Sequence, residues 1–405
     1  MKTATMIDRV AILARTRALK MASSTHAYVR GNTVQFYEWL AASPAAAQLP
    51  KGPPVWICGD CHLGNLGPLA DTDGRVDIQI RDLDQTVIGN PAHDLIRLGL
   101  SLATAARGSD LPGVTTARMV EEMVDGYELA LADPGSEAAT PEPDVVRSVR
   151  RRALGRRWKH LASDRLEDVT PGIPLGKKFW ALADDERDAL DRLFEQDDVH
   201  RLILSLQQRE DEDAVQLVDA AYWMKGCSSL GKLRFAALIS IGRSKKKPGT
   251  IALVDLKEAV PAAAPAAPGI DMPADHAERV VAGARALAPN LGERMLATQL
   301  LGKPIVLREL MPQDLKLEID QFSRSEATAS ARYLAYVVGK AHARQMDART
   351  RSAWRDTLRD HHGAGIDAPP WLWRGVVDLI GHHEAGYLEH CRRFALSEVK
   401  APQPA

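Results

Sequence analysis

The chain has 405 residues, 45% of them apolar, and a formal net charge of −1. That length supports two or three structural units around a sizeable core, and the balanced charge gives no electrostatic case for nucleic acid or a membrane surface as partner. No apolar run approaches the ~18 residues of a membrane span, and the first residues lack the unbroken apolar stretch of a signal peptide, so a cytoplasmic protein is expected.

Residues 5–49 read as two helices, with Ala11-Ile12-Leu13-Ala14 in the first and Val34 to Leu40 in the second. Tyr28-Val29-Arg30-Gly31-Asn32 lies between them, and Pro50 to Pro54 ends the region. In the next stretch, 56–84, Asp60, Asn65 and Asp82 stand at the ends of two short apolar runs, with Asp73-Gly74 between the runs as a hairpin-turn signal. A hairpin folds the second run beside the first and brings the three side chains to one end. Oxygen ligands grouped this way suit Mg²⁺, a hard cation that prefers carboxylates, water and phosphate oxygens. A further carboxylate near such a metal can orient a hydroxyl for attack on phosphorus. Cys58-Gly59-Asp60-Cys61 has the spacing of a dithiol redox site. That chemistry needs a following helix, whereas Gly64 and Gly67 make a loop. Zinc would need two more soft ligands, and only His62 is close, so two buried or half-buried thiols flanking the loop are expected.

Asn90-Pro91 opens a long helical segment with Leu95, Leu98, Leu102 and Ala106 at helical spacing, and further helices are expected at 114–132, 142–163, 184–195 and 197–207. The stretch 147–165 is basic, with Asp164 as its one acid. It is read as a solvated helix face balanced by Glu210-Asp211-Glu212-Asp213 rather than as a phosphate-docking face. Character changes after about residue 212. Strands are expected at 232–241 and 250–257, joined by a turn at 245–249, then a flexible Pro/Ala-rich loop at 261–273. A helix at 275–289, strands at 294–301 and 304–310, and helices at 325–348, 351–361 and 370–395 complete the chain.

Lys225-Gly226-Cys227-Ser228-Ser229-Leu230-Gly231 precedes an apolar strand. Its glycines and small polar residues let backbone N–H groups approach phosphate oxygens. Lys257 ends the next strand inside an apolar run, placed to hold nucleotide phosphates. Glu278 on the following helix is the expected partner of Lys257, with Glu258 and Glu293 as competitors. The strand ending Arg308-Glu309-Leu310 reads as a connection beside an adenine pocket.

Four segments together carry a resemblance. Gly59-Asp60-Cys61-His62-Leu63-Gly64-Asn65 resembles the Gly-Asp-x-His-x-Gly-Asn catalytic loop of aminoglycoside and choline phosphotransferases, and Ile80-Arg81-Asp82-Leu83-Asp84 resembles their metal-binding Ile-Asp-Phe-Glu strand end, with one inserted residue. Gly89-Asn90-Pro91-Ala92-His93-Asp94-Leu95 is similar to their Gly-Asp-Pro-x-x-Asp-Leu, and Val337 to Ala343 is similar to the helix ending Leu-His-Ala. In those enzymes the glycine loop and lysine precede the catalytic loop; here the order is reversed, as in a circular permutation. This arrangement resembles the bacterial family catalogued as domain of unknown function 2252.

The resemblance implies an α+β, protein-kinase-like two-lobe fold in circularly permuted order. A small lobe with a five-stranded antiparallel sheet would span 210–312, and a larger helical lobe would be assembled from 1–209 and 313–405. It implies an ATP- and Mg²⁺-dependent phosphotransferase whose acceptor, a small molecule or a protein, is unassigned. Asp60 would orient or deprotonate the acceptor hydroxyl, Asn65 and Asp82 would hold Mg²⁺, and Asp84 would be a second metal ligand. Lys257 would bind the phosphates under a cover formed by Gly226, Ser228, Ser229 and Gly231. His62 would fix the loop by hydrogen bonding, Asp94 would brace it, and Arg30 would contact phosphate or pair with one of the carboxylates. The alternatives are a nucleotide-binding pseudokinase, an enzyme that transfers AMP, and a metal-dependent phosphoesterase, for which the histidines at 342, 361, 362, 382 and 383 lie on helical rather than strand-end segments.

Overall fold

The computed structural model describes residues 6–135, 140–166, 172–207, 209–210, 213–226, 230–242, 249–317, 323–359 and 368–394. The N-terminal region forms three helices, not two: α1 (Met6–Ala22), α2 (Thr25–Gly31) and α3 (Thr33–Ala42). The breaks fall at capping residues. Ser24 Oγ accepts from Ala27 N and Asn32 Oδ1 from Gln35 N, so each side chain satisfies an amide that a new helix start leaves open.

Strand β1 (Val55–Ile57) leads into the loop at 58–65, then β2 (Leu66–Ala70) turns into β3 (Val76–Ile80). The expected hairpin forms, with Leu66 opposite Ile80 and Ala70 opposite Val76. Gly74 takes φ +86°, and Asp71 Oδ1 accepts from the amides of Asp73 and Arg75. Strand β4 (Val87–Gly89) pairs with β1, which ties the far side of the loop.

Helices α4 (Ala92–Gly108) and α5 (Gly113–Ala132) follow, and the helix expected at 142–163 breaks at Gly155 into α6 (Asp144–Leu154) and α7 (Trp158–Leu166). Three of the arginines there pair locally, Arg147 with Asp144, Arg150 with Glu142 and Arg156 with Asp164, while Arg165 lines the cavity described below. Of the acidic stretch at 210–213, 211–212 lie outside the described residues.

The main sheet has six antiparallel strands, not five. β5 (Phe179–Trp180) is followed by α8 (Asp184–Phe194) and α9 (Asp197–Leu204), then β6 (Ala214–Trp223), β7 (Arg234–Gly242) and β8 (Thr250–Glu258). After α10 (His276–Leu287) and α11 (Pro289–Gly292) come β9 (Met295–Leu300) and β10 (Lys303–Glu309). The order is β5-β6-β7-β8-β10-β9. The additional strand is two residues long, too short to show a periodic pattern, and it pairs Phe179 with Trp223 and Trp180 with Tyr222. Alternation sorts the sheet residues: Phe235, Ala237 and Ile239 pack with Leu190, Phe194 and Ile203 of α8 and α9, while Ala236 and Leu238 pack with Leu161 and Leu166 of α7. Elements upstream of residue 210 therefore cover both faces of the sheet.

The chain closes with α12 (Arg324–Ala343), α13 (Ala348–Arg359) and α14 (Pro370–Phe394). α12 lies so close to α5 that a Cβ on Gly126 would stand 2.0 Å from the Arg332 carbonyl oxygen. α14 packs on the N-terminal helices, with His390 Nε2 2.8 Å from Ala18 O and Trp39 Nε1 donating to Asp378 at 2.7 Å. The two chain ends share one core. The Pro/Ala-rich segment expected to be flexible is fastened to the 85–88 turn: Ala263 N donates to Gln85 Oε1 and Ala267 N to Ile88 O, at 2.7 and 2.8 Å. No described helix is long and apolar enough to cross a membrane.

Candidate active site

The loop at 58–65 is held from behind by Asp94, in the first turn of α4. Its buried carboxylate accepts Cys58 N at 2.7 Å, Gly59 N at 3.0 Å and His342 Nε2 at 3.1 Å. His342 Nδ1 is 2.9 Å from Tyr127 Oη, which accepts from Trp354 Nε1 at 3.2 Å. The Asp94 carboxylate only accepts, so Nε2 carries a proton toward it. Helices α4, α5, α12 and α13 thus converge on one loop. Gly59 has φ +74°, and a Cβ there would lie 2.1 Å from Gln85 O, so only glycine is accommodated.

Asp60 follows this anchor. Arg97 Nε donates to its Oδ1 at 2.9 Å, from a guanidinium with no solvent exposure. Burial raises the Asp60 carboxyl above its usual range, against the pull of Arg97. Asn65 Nδ2 donates to Asp60 O at 2.9 Å. A carbonyl only accepts, so the amide nitrogen faces it and Asn65 Oδ1 is left as an open oxygen donor. His62 is 3% exposed, and its Nδ1 has no partner. Burial, together with the charges of Arg30 and Arg97, keeps its imidazole well below the usual histidine range. Among the described residues the His62 side chain makes no loop-fixing hydrogen bond: its contact with Asp60 Oδ2 is 3.9 Å. Cys58 and Cys61 are buried free thiols, both pushed up from the ordinary range, which leaves little thiolate for redox work.

The opposite wall comes from the hairpin end and the sheet. Lys257 Nζ on β8 lies 3.5 Å from Asp82 Oδ1 and also pairs with Asp84. Burial would raise Asp82, but Lys257, Arg308 and Arg234 hold it below the usual carboxylate range, whereas burial and the neighbouring Asp82 raise Asp84. Beneath Lys257, Asp255 accepts from Arg234 at 2.9 and 2.6 Å, with Arg308 at 3.6 Å and Lys225 at 3.9 Å.

Arg30, Asp60, His62, Asn65, Asp82, Gly226, Lys257 and Leu310 all line one cavity of about 230 Å³. Its lining holds eight Lys or Arg side chains and three Asp. Two of those acids are balanced from behind: Asp60 by Arg97, and Asp314 by Arg294 at 3.1 Å. The cavity is therefore electropositive and built for an anion. Leu161, Leu310 and Met311 are the large apolar side chains of its lining. Mg²⁺ keeps several waters and needs only one or two protein oxygens besides phosphate. Asp82 and the open oxygen of Asn65 fit that requirement. Among the described residues no group of three or more His, Cys, Asp and Glu could hold a metal by itself.

Other expectations are corrected. Glu278 is exposed and does not meet Lys257, whose partners are Asp82 and Asp84. One position on, Arg279 turns inward and donates to the carbonyls of Asp84 and Val260 at 3.0 and 2.9 Å. Glu309 is 2% exposed and spent on Arg209 and Gln207, so its side chain does not reach the cavity. Glu258 caps Leu233 N, and Glu293 is exposed. Gly231, with φ +96°, does not line the cavity. Ser228 and Ser229 lie outside the described residues, as do His361 and His362.

Arg97, Arg234, Asp255 and Arg308 were not expected at the site. Arg97 alone left a trace in the sequence, as a lone charge among Leu95, Ile96, Leu98 and Leu100 on a buried helix. No curated protein and no solved structure matches the chain. The family described as an uncharacterized protein conserved in bacteria matches residues 9–393, and the chain belongs to this domain of unknown function 2252 family.

Proposed function

We propose that this protein is an ATP- and Mg²⁺-dependent phosphotransferase with a kinase-like two-lobe architecture in circularly permuted order. The observation that carries the reading is the meeting of the Lys257 ammonium with the Asp82 carboxylate across a cavity that also receives Asp60 and Asn65. Lys257, Lys225 and Arg308 would hold the triphosphate, and the apolar lining residues Leu161, Leu310 and Met311 would pack on the face of a purine. Asn65 and Asp82 would hold Mg²⁺, which supplies charge neutralisation for the phosphate chain. Asp60 accepts the proton of the acceptor hydroxyl as its oxygen forms a bond to the γ-phosphorus. The β–γ bridging bond breaks, and ADP leaves with the electron pair. Arg97 fixes the Asp60 carboxylate through Oδ1, and Asp60 lines the cavity.

A dinuclear phosphoesterase would need several histidine ligands. His342 is already committed to Asp94 and Tyr127, so that reading gains no support. Transfer of AMP and a non-catalytic nucleotide sensor are separated by product analysis: phosphoryl transfer releases ADP, AMP transfer releases pyrophosphate, and a sensor releases neither. For the role of Asp60, Asp60→Ala is expected to bind ATP with Mg²⁺ yet lose turnover by a factor of about 10²–10⁴. Full turnover by Asp60→Ala removes Asp60 as the base.

A further inference from the structure

Arg30, on α2, is the cation on the Asp60 side of the cavity, across from the small-lobe cluster of Lys225, Lys257 and Arg308. Among the described residues it makes no ion pair within reach of a carboxylate. Asp60, which lines the same cavity, is already engaged by Arg97 from behind. Gly64 separates Arg30 from His62: a Cβ on Gly64 would lie 3.3 Å from both Arg30 Cζ and His62 Cε1. His62 lines the same cavity, is 3% exposed, and leaves Nδ1 without a partner. An unpartnered buried nitrogen is costly, and an unpaired guanidinium beside it makes the pair a receptor for an oxyanion.

We infer that the phosphoryl acceptor is an anionic alcohol whose carboxylate or phosphate group is held by Arg30 and His62 beside Asp60. The word acceptor rests on the phosphotransferase reading; the anion site rests on the residues alone. Neutral His62, kept so by burial and by the Arg30 charge, donates through Nδ1–H, and Arg30 supplies the charge and a planar pair of donors. The nearby His26 is also held below the usual histidine range by burial and by Arg30, so it adds no competing cation. With the acid group fixed there, the hydroxyl a few bonds away reaches the Asp60 carboxylate, and its oxygen attacks phosphorus in the step described above. A neutral alcohol would leave Arg30 and His62 unsatisfied, so the site discriminates against it.

The test is calorimetry on the full chain with inorganic phosphate and with malonate as probes. Wild type should bind one of them with Kd below about 10 mM, and the better-bound probe tells whether phosphate or carboxylate is preferred. Arg30→Gln should weaken that binding about tenfold or more, the equivalent of one charge-assisted contact. Arg30→Lys, which keeps the charge and loses the fork, should fall between. Arg30→Gln should unfold in urea at the wild-type midpoint, which shows that the variant is folded. Equal anion binding by wild type and Arg30→Gln overturns the inference, as does absence of binding to wild type. If wild type fails to bind ATP yet binds the anion through Arg30, the nucleotide reading fails and the anion site stands.

Discussion

Replacing Asp94 with asparagine should cost far more than its small change in shape. Asp94 is fully buried, and both of its oxygens are occupied: Oδ2 by Cys58 N and His342 Nε2, Oδ1 by Gly59 N. An asparagine keeps one acceptor oxygen and turns an NH₂ toward at least one of these donors, which sets donor against donor. Each bond to the carboxylate is worth about 1.5–3 kcal/mol. With one bond lost and the others weakened by loss of charge, Asp94→Asn should lower stability by about 2–4 kcal/mol. Urea unfolding followed by tryptophan fluorescence reads this directly, because Trp56 and Trp354 sit beside the affected network. Asp94→Ala, which abandons all three donors, should cost more. A change below about 0.5 kcal/mol in Asp94→Asn, the size of an ordinary surface substitution, would refute the role of Asp94 as the brace of the loop.

Gly126→Ala would place a Cβ 2.0 Å from Arg332 O and push α5 from α12, so a loss of about 1–3 kcal/mol or more is expected. Gly113→Ala, where nothing lies within 4 Å, should be neutral or slightly stabilising in the same melt. Acid should weaken the protein through histidines buried in neutral form. Burial lowers His93 to about 4 and His383 to about 3 from the usual 6.5. The unfolded chain therefore binds more protons as pH falls below 6.5, and stability drops by about 1.4 kcal/mol per pH unit for each histidine until its folded value is reached. Urea midpoints between pH 7 and 5 should show a shallower slope for His383→Gln than for wild type, and parallel slopes would refute the assignment.

Much of the site was legible because its signals are local. Asp73-Gly74 marked the turn that brings Leu66 and Ile80 together, and with them Asn65 and Asp82. Lys257 stood out as a charge ending an apolar strand, and its meeting with Asp82 follows once that strand joins the sheet. What escaped depends on tertiary placement. Glu278 and Arg279 differ by one position, about 100° around a helix, and only the packing of α10 on the 84–86 turn chose Arg279. The Arg234–Asp255 pair faces inward from neighbouring strands, at positions that by charge alone read as surface. The Pro/Ala-rich segment has a linker's composition, yet its amides found acceptors on Gln85 and Ile88. Strand β5 is two residues long and exists only because Trp223 and Tyr222 offer it a partner.

Calorimetric titration of the full chain with ATP in the presence and absence of Mg²⁺, for wild type and Lys257→Ala, asks whether the cavity lined by Asp60, Asn65, Asp82 and Lys257 takes a triphosphate. Mg²⁺-dependent binding by wild type, weakened about tenfold or more in Lys257→Ala, is the predicted result. No binding by wild type, or equal binding by both proteins, would contradict it.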